Sequence, residues 1–197
     1  LAGIALPLLP VAVRNAAVGG GLLPTTYQGG VNFYIGNNPE ADGTYRPLTP
    51  GRQIPAHERR EPWRLAEAEA GRPLTAAEVS AHWRRRALAW ARAEPGAFLR
   101  LQLRKVGLYL SPYEWPDAVD LYWLRARSPA LAAVGLDFGG LALLALAGAG
   151  LAWRRRLFGA LAPAWLFALA WMASTVAFFL FSRYRLPAVP GLLLLAA

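Results

Sequence analysis

The chain contains no cysteine, which removes disulfides and thiolate metal sites and leaves the redox compartment undetermined. Lysine is almost absent as well: Lys105 is the single one among 21 basic residues. Acid is missing from the C-terminal third. All 12 Asp and Glu residues lie between Glu40 and Asp137, and beyond Asp137 the only charges are Arg154, Arg155, Arg156, Arg183 and Arg185. Enzyme signatures are scarce too. His57 and His82 stand apart, with no HExxH spacing and no third ligand, which speaks against zinc. No glycine-rich loop runs into Lys-Ser/Thr, so there is no phosphate cradle of that type. The zinc-ligand, RNP and basic-zipper patterns of nucleic-acid modules are missing, so the arginines do not point to DNA or RNA.

What is present divides by position. The chain carries a net charge of +9, yet 55% of its residues are hydrophobic and mean hydropathy is +0.27. Residues Val134 to Trp153 hold one charge, Asp137, in 20 positions; as a helix they would reach about 30 Å, the thickness of a hydrocarbon core. Leu157 to Ser182 is uncharged over 26 residues. Leu1 to Val13 and Leu186 to Ala197 are apolar but short, and read as pieces of longer helices cut at the ends of the chain. The expected fold is therefore a mainly α, polytopic membrane protein fragment. Its transmembrane helices would flank an extracytoplasmic loop domain with interfacial helices and one short strand.

The expected divisions are residues 1–13 (end of a span), 14–74 (irregular loop region), 75–133 (interfacial helices), 134–153 (span), 154–156 (loop), 157–182 (span) and 186–197 (start of another). The short, purely basic loop Arg154-Arg155-Arg156 assigns itself to the cytoplasm by the positive-inside rule. Residues 14–133 and Arg183-Tyr184-Arg185 then fall together on the extracytoplasmic side of an inner or cell membrane.

Between the ends, Gly19-Gly20-Gly21, Gly29-Gly30, Asn37-Asn38-Pro39, Asp42-Gly43 and prolines 47, 50, 55 and 62 are closely spaced turn formers. Val31-Asn32-Phe33-Tyr34-Ile35 fits one short strand between them. Thr75-Ala-Ala-Glu78 is a capping box that opens a helix, and Val79, Trp83, Ala87 and Trp90 lie on one face of it as core. Pro95 suits the first turn of the next helix. That helix bears a narrow basic strip, Arg100, Arg104 and Lys105, and reads as lying at a membrane interface. Tyr113, Trp115, Tyr122 and Trp123 with Glu114, Asp117 and Asp120 read the same way.

Three groups of residues are candidates for binding. The segment from Asn32 to Asn38 is either a strand between tight turns, where Asx side chains bond local backbone, or a polar loop whose Asn32, Asn37 and Asn38 amides face a sugar or pyrophosphate. Arg183-Tyr184-Arg185-Leu186-Pro187 is either an interfacial anchor or a pair of guanidiniums that grips phosphate oxygens. Lys105, with Glu114 and its aromatic neighbours, either snorkels or meets a lipid phosphate.

The order Arg14-Asn15, GGVNFYIGNNPEADGTYRP, Glu94-Pro95, Arg104-Lys105, Tyr113-Glu114 and RYRLP before a last apolar run resembles the C-terminal part of bacterial GT-C membrane glycosyltransferases. These are the family 39-like enzymes related to dolichyl-phosphate-mannose–protein mannosyltransferases. The resemblance spans nearly the whole chain. It implies a polyprenyl-phosphate-linked sugar as donor, membrane lipid as surroundings, and inverting transfer on the extracytoplasmic face. It places Arg183 and Arg185, with Tyr184 between them, near the donor phosphate and the Asn32 to Asn38 loop close by. In that family the catalytic Asp belongs to a first loop that this chain does not contain, so no catalytic residue is assigned. No cofactor is expected here, although a divalent metal is compatible with the longer family proteins. The competing expectation is a non-catalytic membrane protein whose loop region binds a partner or a cell-envelope polymer.

Overall fold

A computed structural model describes residues 2–18, 23, 26–51, 55–117, 119–133, 135 and 137–197. The Gly19-Gly20-Gly21 turn and the starting residues of the first and second expected spans, Leu1 and Val134, lie outside them. The chain forms two compact units, residues 1–99 and 100–197.

The first unit contains α1 (Ala2–Ala17), α2 (Gln28–Gly36), α3 (Pro55–Ala70) and α4 (Ala76–Ala93). The segment expected as a strand is α2. The helix instead buries Val31 and Ile35, four residues apart, against α4. Gly30 explains how the two approach so closely. A methyl group at that position would come within 1.9 Å of the Ser80 carbonyl oxygen, and the Gly30 N–H donates to Ser80 Oγ at 3.1 Å. The glycine is a packing residue and not a turn. Helix α4 begins where the capping box predicts. Glu78 N–H donates to Thr75 Oγ1 at 3.3 Å and Thr75 N–H to Glu78 Oε2 at 2.8 Å. Val79, Trp83 and Ala87 are buried as that stripe requires, whereas Trp90, its fourth member, is only half-buried; Trp83 Nε1 donates to the Pro62 carbonyl of α3 at 3.0 Å. Residues 14–74, expected as irregular, thus supply two helices and the end of a third. Pro55 fails as a breaker because it occupies the first helical position, where no N–H is needed.

The second unit holds most of α5 (Pro95–Leu110), then α6 (Leu121–Arg125), α7 (Pro129–Ala132), α8 (Phe138–Arg154), α9 (Ala162–Val176), a 3₁₀ helix (Ser182–Ala188) and α10 (Val189–Ala196). Helix α10 packs against both α8 and α9. Small residues permit this: Ala145 is buried in α8, Ala164 and Ala168 in α9. A methyl group on Gly148 would lie 1.7 Å from the Leu195 carbonyl oxygen. Tyr109, Phe138 and Leu180 form the core above them, with Met172, Val176 and Val189 packed alongside.

These helices overturn the expected spans. Among the described residues no helix is long and apolar enough to cross a membrane. Helix α8 has 17 residues and α9 has 15, or about 25 and 22 Å at 1.5 Å per residue. The 26-residue uncharged stretch breaks after Val176 for identifiable reasons. Ser174 and Thr175 hydroxyls bond back to the Trp171 carbonyl at 2.7 and 3.1 Å, competing with the helical ladder. The Val176 carbonyl, which a longer helix would offer to residue 180, accepts from Lys105 Nζ instead. Nor is Arg154-Arg155-Arg156 a loop between spans. It is the last turn and cap of α8, with Arg156 at φ 59°. Arg156 N–H donates to the Trp153 carbonyl at 3.1 Å and Leu157 N–H to that of Ala152 at 2.8 Å, the paired bonds of a Schellman ending. The polytopic fold, the integral membrane localisation, the sidedness assigned to residues 14–133 and the interfacial reading of α5 and of residues 113–123 are all withdrawn with the spans. Leu143, Leu146 and Trp153 of α8, Phe167 and Leu169 of α9 and Leu194 of α10 are exposed.

Candidate functional site

The Arg-Tyr-Arg segment folds as the 3₁₀ helix, and its two arginines part company. Arg185 turns inward and is 1% exposed. Its Nη1 donates to the carbonyls of Tyr109 at 3.2 Å and Ser111 at 2.6 Å. Its Nη2 donates to the Tyr113 carbonyl at 2.8 Å, Glu114 Oε2 at 2.7 Å and Ser182 Oγ at 2.9 Å. The guanidinium also lies 4.6 Å from the Phe138 ring centroid. Both terminal nitrogens are thereby committed to the protein. The expected two-arginine grip on phosphate is not formed, because one of its arms holds the end of α5 and the loop after it.

Arg183 points the other way. Its side chain is 56% exposed and pairs with Asp117, while Nη2 donates to Tyr184 Oη at 3.5 Å. That hydrogen bond raises the guanidinium above its ordinary value; burial opposes it, and the Tyr184 and Asp117 charges add lesser support. Tyr184 is half-buried beside Phe181, and its carbonyl accepts from Trp171 Nε1 at 2.6 Å.

A pocket of about 370 Å³ opens beside Arg183. Trp115, Pro116, Val119, Leu121 and Leu186 line it together with Glu114, Asp117 and Ser182. Its shape follows from the aromatic stretch that read as interfacial. Tyr113 stacks on Tyr122 with centroids 5.1 Å apart and meets Trp115 edge-on at 4.8 Å. The Glu114 N–H donates to Tyr122 Oη at 3.0 Å, and Ser182 N–H donates to the Trp115 carbonyl at 3.3 Å. Trp115 Nε1 is shielded and has no hydrogen-bond partner among the described residues. The sequence offered Asp117 and Trp115 only as members of an acid–aromatic run; nothing in it paired Asp117 with Arg183 across 66 positions.

Lys105 neither snorkels nor reaches outward. It is 1% exposed, and Nζ donates to the Val176 carbonyl at 3.1 Å. Burial pushes its ammonium down to about 7. Its basic-strip neighbours Arg100 and Arg104 are exposed. Along α5 the buried stripe is Leu101, Lys105 and Tyr109, each four residues from the next. Glu114, which the sequence grouped with Lys105, pairs with Arg185 instead.

In the first unit the asparagines mostly serve the backbone. Asn37 is 1% exposed and donates from Nδ2 to the Phe33 carbonyl at 2.8 Å. Asn38 donates to the Tyr34 and Ile35 carbonyls at 2.9 and 3.1 Å and accepts from Glu40 N–H at 2.8 Å. These side chains close the C-terminal end of α2. Asn32 is a half-buried residue of the same helix. Asn38 does line a second, larger groove of about 720 Å³ with Tyr34, Arg46, Glu69 and Arg86. Among the described residues no cluster of three or more His, Asp or Glu side chains is arranged to hold a metal ion. His82 faces Glu69, with Nε2 3.2 Å from Oε2.

No protein-family model, no curated protein and no solved structure matches this chain.

Proposed function

We propose that the chain is part of a glycosyltransferase that draws its sugar from a polyprenyl-phosphate donor, with the phosphate received beside Arg183. The observation that carries this reading is an exposed guanidinium at a pocket lined mostly by the apolar Trp115, Pro116, Val119, Leu121 and Leu186, with Glu114, Asp117 and Ser182 beside them. An amphiphilic phosphate ester suits that combination. Its oxygens replace the Asp117 carboxylate on the guanidinium through charge-assisted hydrogen bonds, and its hydrocarbon chain covers the apolar wall. As the bond between sugar and phosphate breaks, negative charge grows on the phosphate, and a fixed guanidinium stabilises that charge selectively. Arg185 is a positioning residue: it fixes Glu114 and the loop that forms one wall. The residue order that resembles family 39-like glycosyltransferases supports the same class of donor. Insertion in a membrane is no part of the proposal.

Geranyl phosphate, titrated against the full chain and followed by tryptophan fluorescence, tests the reading, with geraniol and inorganic phosphate as controls. Arg183→Ala is expected to weaken geranyl phosphate by about tenfold, the worth of a charged hydrogen bond, and to leave geraniol binding unchanged. Geranyl phosphate binding no tighter than geraniol in the parent chain would refute it.

A further inference from the structure

We infer that the groove of the first unit, between α2, α3, α4 and the loop after α2, is a binding site for a neutral saccharide chain. The inference stands on its own observations and does not depend on the phosphate pocket of the second unit. The groove measures about 720 Å³, within the range of about 300–1,000 Å³ that ligand sites occupy. Its polar surface comes from Tyr34, Asn38, Glu40, Arg46, Glu69 and Arg86.

Charge selects among ligands. Each guanidinium in the groove already has a carboxylate. Arg86 Nη1 pairs with Glu69 Oε1 at 2.5 Å, and Arg46 pairs with Asp42 through Nε at 2.9 Å and Nη2 at 2.7 Å. Asp42 is itself held firmly. Burial alone would raise its carboxyl, but hydrogen bonds from Thr44 and Arg46 bring it below the usual range. The two guanidiniums of the groove face three carboxylates, Asp42, Glu69 and Glu40, and this excess of negative charge disfavours phosphate or an acidic polymer; beside Arg183 the two carboxylates, Asp117 and Glu114, are matched by Arg183 and Arg185. An apolar ligand would strand the same charged groups without water. Among the described residues the groove offers an extended peptide side chains and helices along its walls and no sheet edge to pair with.

What remains is a neutral, hydroxyl-rich ligand, which uses both halves of each ion pair. Carboxylate oxygens accept from sugar hydroxyls while the guanidinium N–H groups donate to them. The donors are also held in place beforehand. The Arg86 guanidinium lies 5.2 Å from the Tyr34 centroid and 5.3 Å from that of Trp83, whose ring is buried behind it. The Tyr34 ring packs on Trp83 at 4.8 Å, and its hydroxyl has no hydrogen-bond partner among the described residues. Groups fixed in this way lose little conformational freedom on binding.

Cellotetraose, maltotetraose and chitotetraose, with tetragalacturonate as the acidic comparison, are titrated calorimetrically against the full chain. At least one neutral tetrasaccharide is expected to bind more tightly than tetragalacturonate. Arg86→Met is expected to weaken it about tenfold, the loss of a charge-assisted hydrogen bond. Because Arg86 also packs on two rings, Tyr34→Phe and Arg46→Gln serve as milder variants, each expected to weaken binding by about threefold or more. Arg183→Ala is expected to leave it unchanged, which separates this site from the phosphate pocket. Absence of binding by all three neutral sugars, preference for tetragalacturonate, or full affinity in both Tyr34→Phe and Arg46→Gln would overturn the inference.

Discussion

Replacing Lys105 by methionine is expected to change how stability depends on pH, in a direction the structure fixes. Lys105 is buried, and burial lowers its ammonium from 10.5 to about 7. Between those values the folded chain binds fewer protons at this site than the unfolded chain does. Stability therefore rises with pH across the window, by at most about 1.4 kcal/mol per pH unit. Below about pH 7 both states are protonated and the whole penalty is present. From about pH 7 to pH 10 the ceiling is about 4 kcal/mol; allowing for local relaxation and entry of water, about 2 kcal/mol is expected. Methionine keeps the unbranched shape and carries no charge, so this contribution vanishes. The lost hydrogen bond to Val176 costs about 1 kcal/mol at every pH. Tyr109 does not confuse the comparison. Burial raises its phenol to about 12, against an opposing effect of Arg185. Its contribution is lost only as pH climbs beyond its ordinary 10.0 toward about 12. Urea unfolding of the parent and Lys105→Met chains, followed by far-ultraviolet circular dichroism at about pH 7, 8, 9 and 10, measures the difference. The parent should gain stability relative to the variant as pH rises. Parallel curves would refute the argument.

Two further substitutions test the second unit. Arg185→Met removes a buried cation and leaves the carbonyls of Tyr109, Ser111 and Tyr113 and the Glu114 carboxylate without it; denaturant midpoints should show a loss of about 3–5 kcal/mol, the cost of breaking a buried charged pair. Arg156→Gly relieves a left-handed residue at the cap of α8 and should raise stability by about 0.5–1 kcal/mol in the same assay.

The sequence revealed those features that depend on near neighbours. The Thr75–Glu78 box, three of the four residues of the Val79-Trp83-Ala87-Trp90 stripe and Pro95 at a first turn all act within a few turns of helix, and these stand in the structure. Readings failed where a distant partner decided the outcome. Gly30 looked like a turn because Ser80, which it touches, is 50 residues away. Val31 to Ile35 alternates convincingly as a strand, yet the face offered by α4 selects a spacing of four. Hydropathy alone measured the 26-residue apolar stretch as one helix, with no means of knowing that Lys105 would take the Val176 carbonyl. At the candidate site the sequence picked out both arginines but could not show that they diverge, which follows from the 3₁₀ geometry of residues Ser182–Ala188, where positions two apart differ by about a third of a turn.

The carbonyls that face Arg185 belong to alternate residues, 109, 111 and 113. A stretch of chain with little regular structure of its own has taken its curvature from one cation borrowed from the far end of the unit. A lysine there would supply the charge but not the flat fork that reaches several oxygens at once. The segment that looked made to grasp something foreign has grasped the polypeptide itself, and Arg183 is left to face outward.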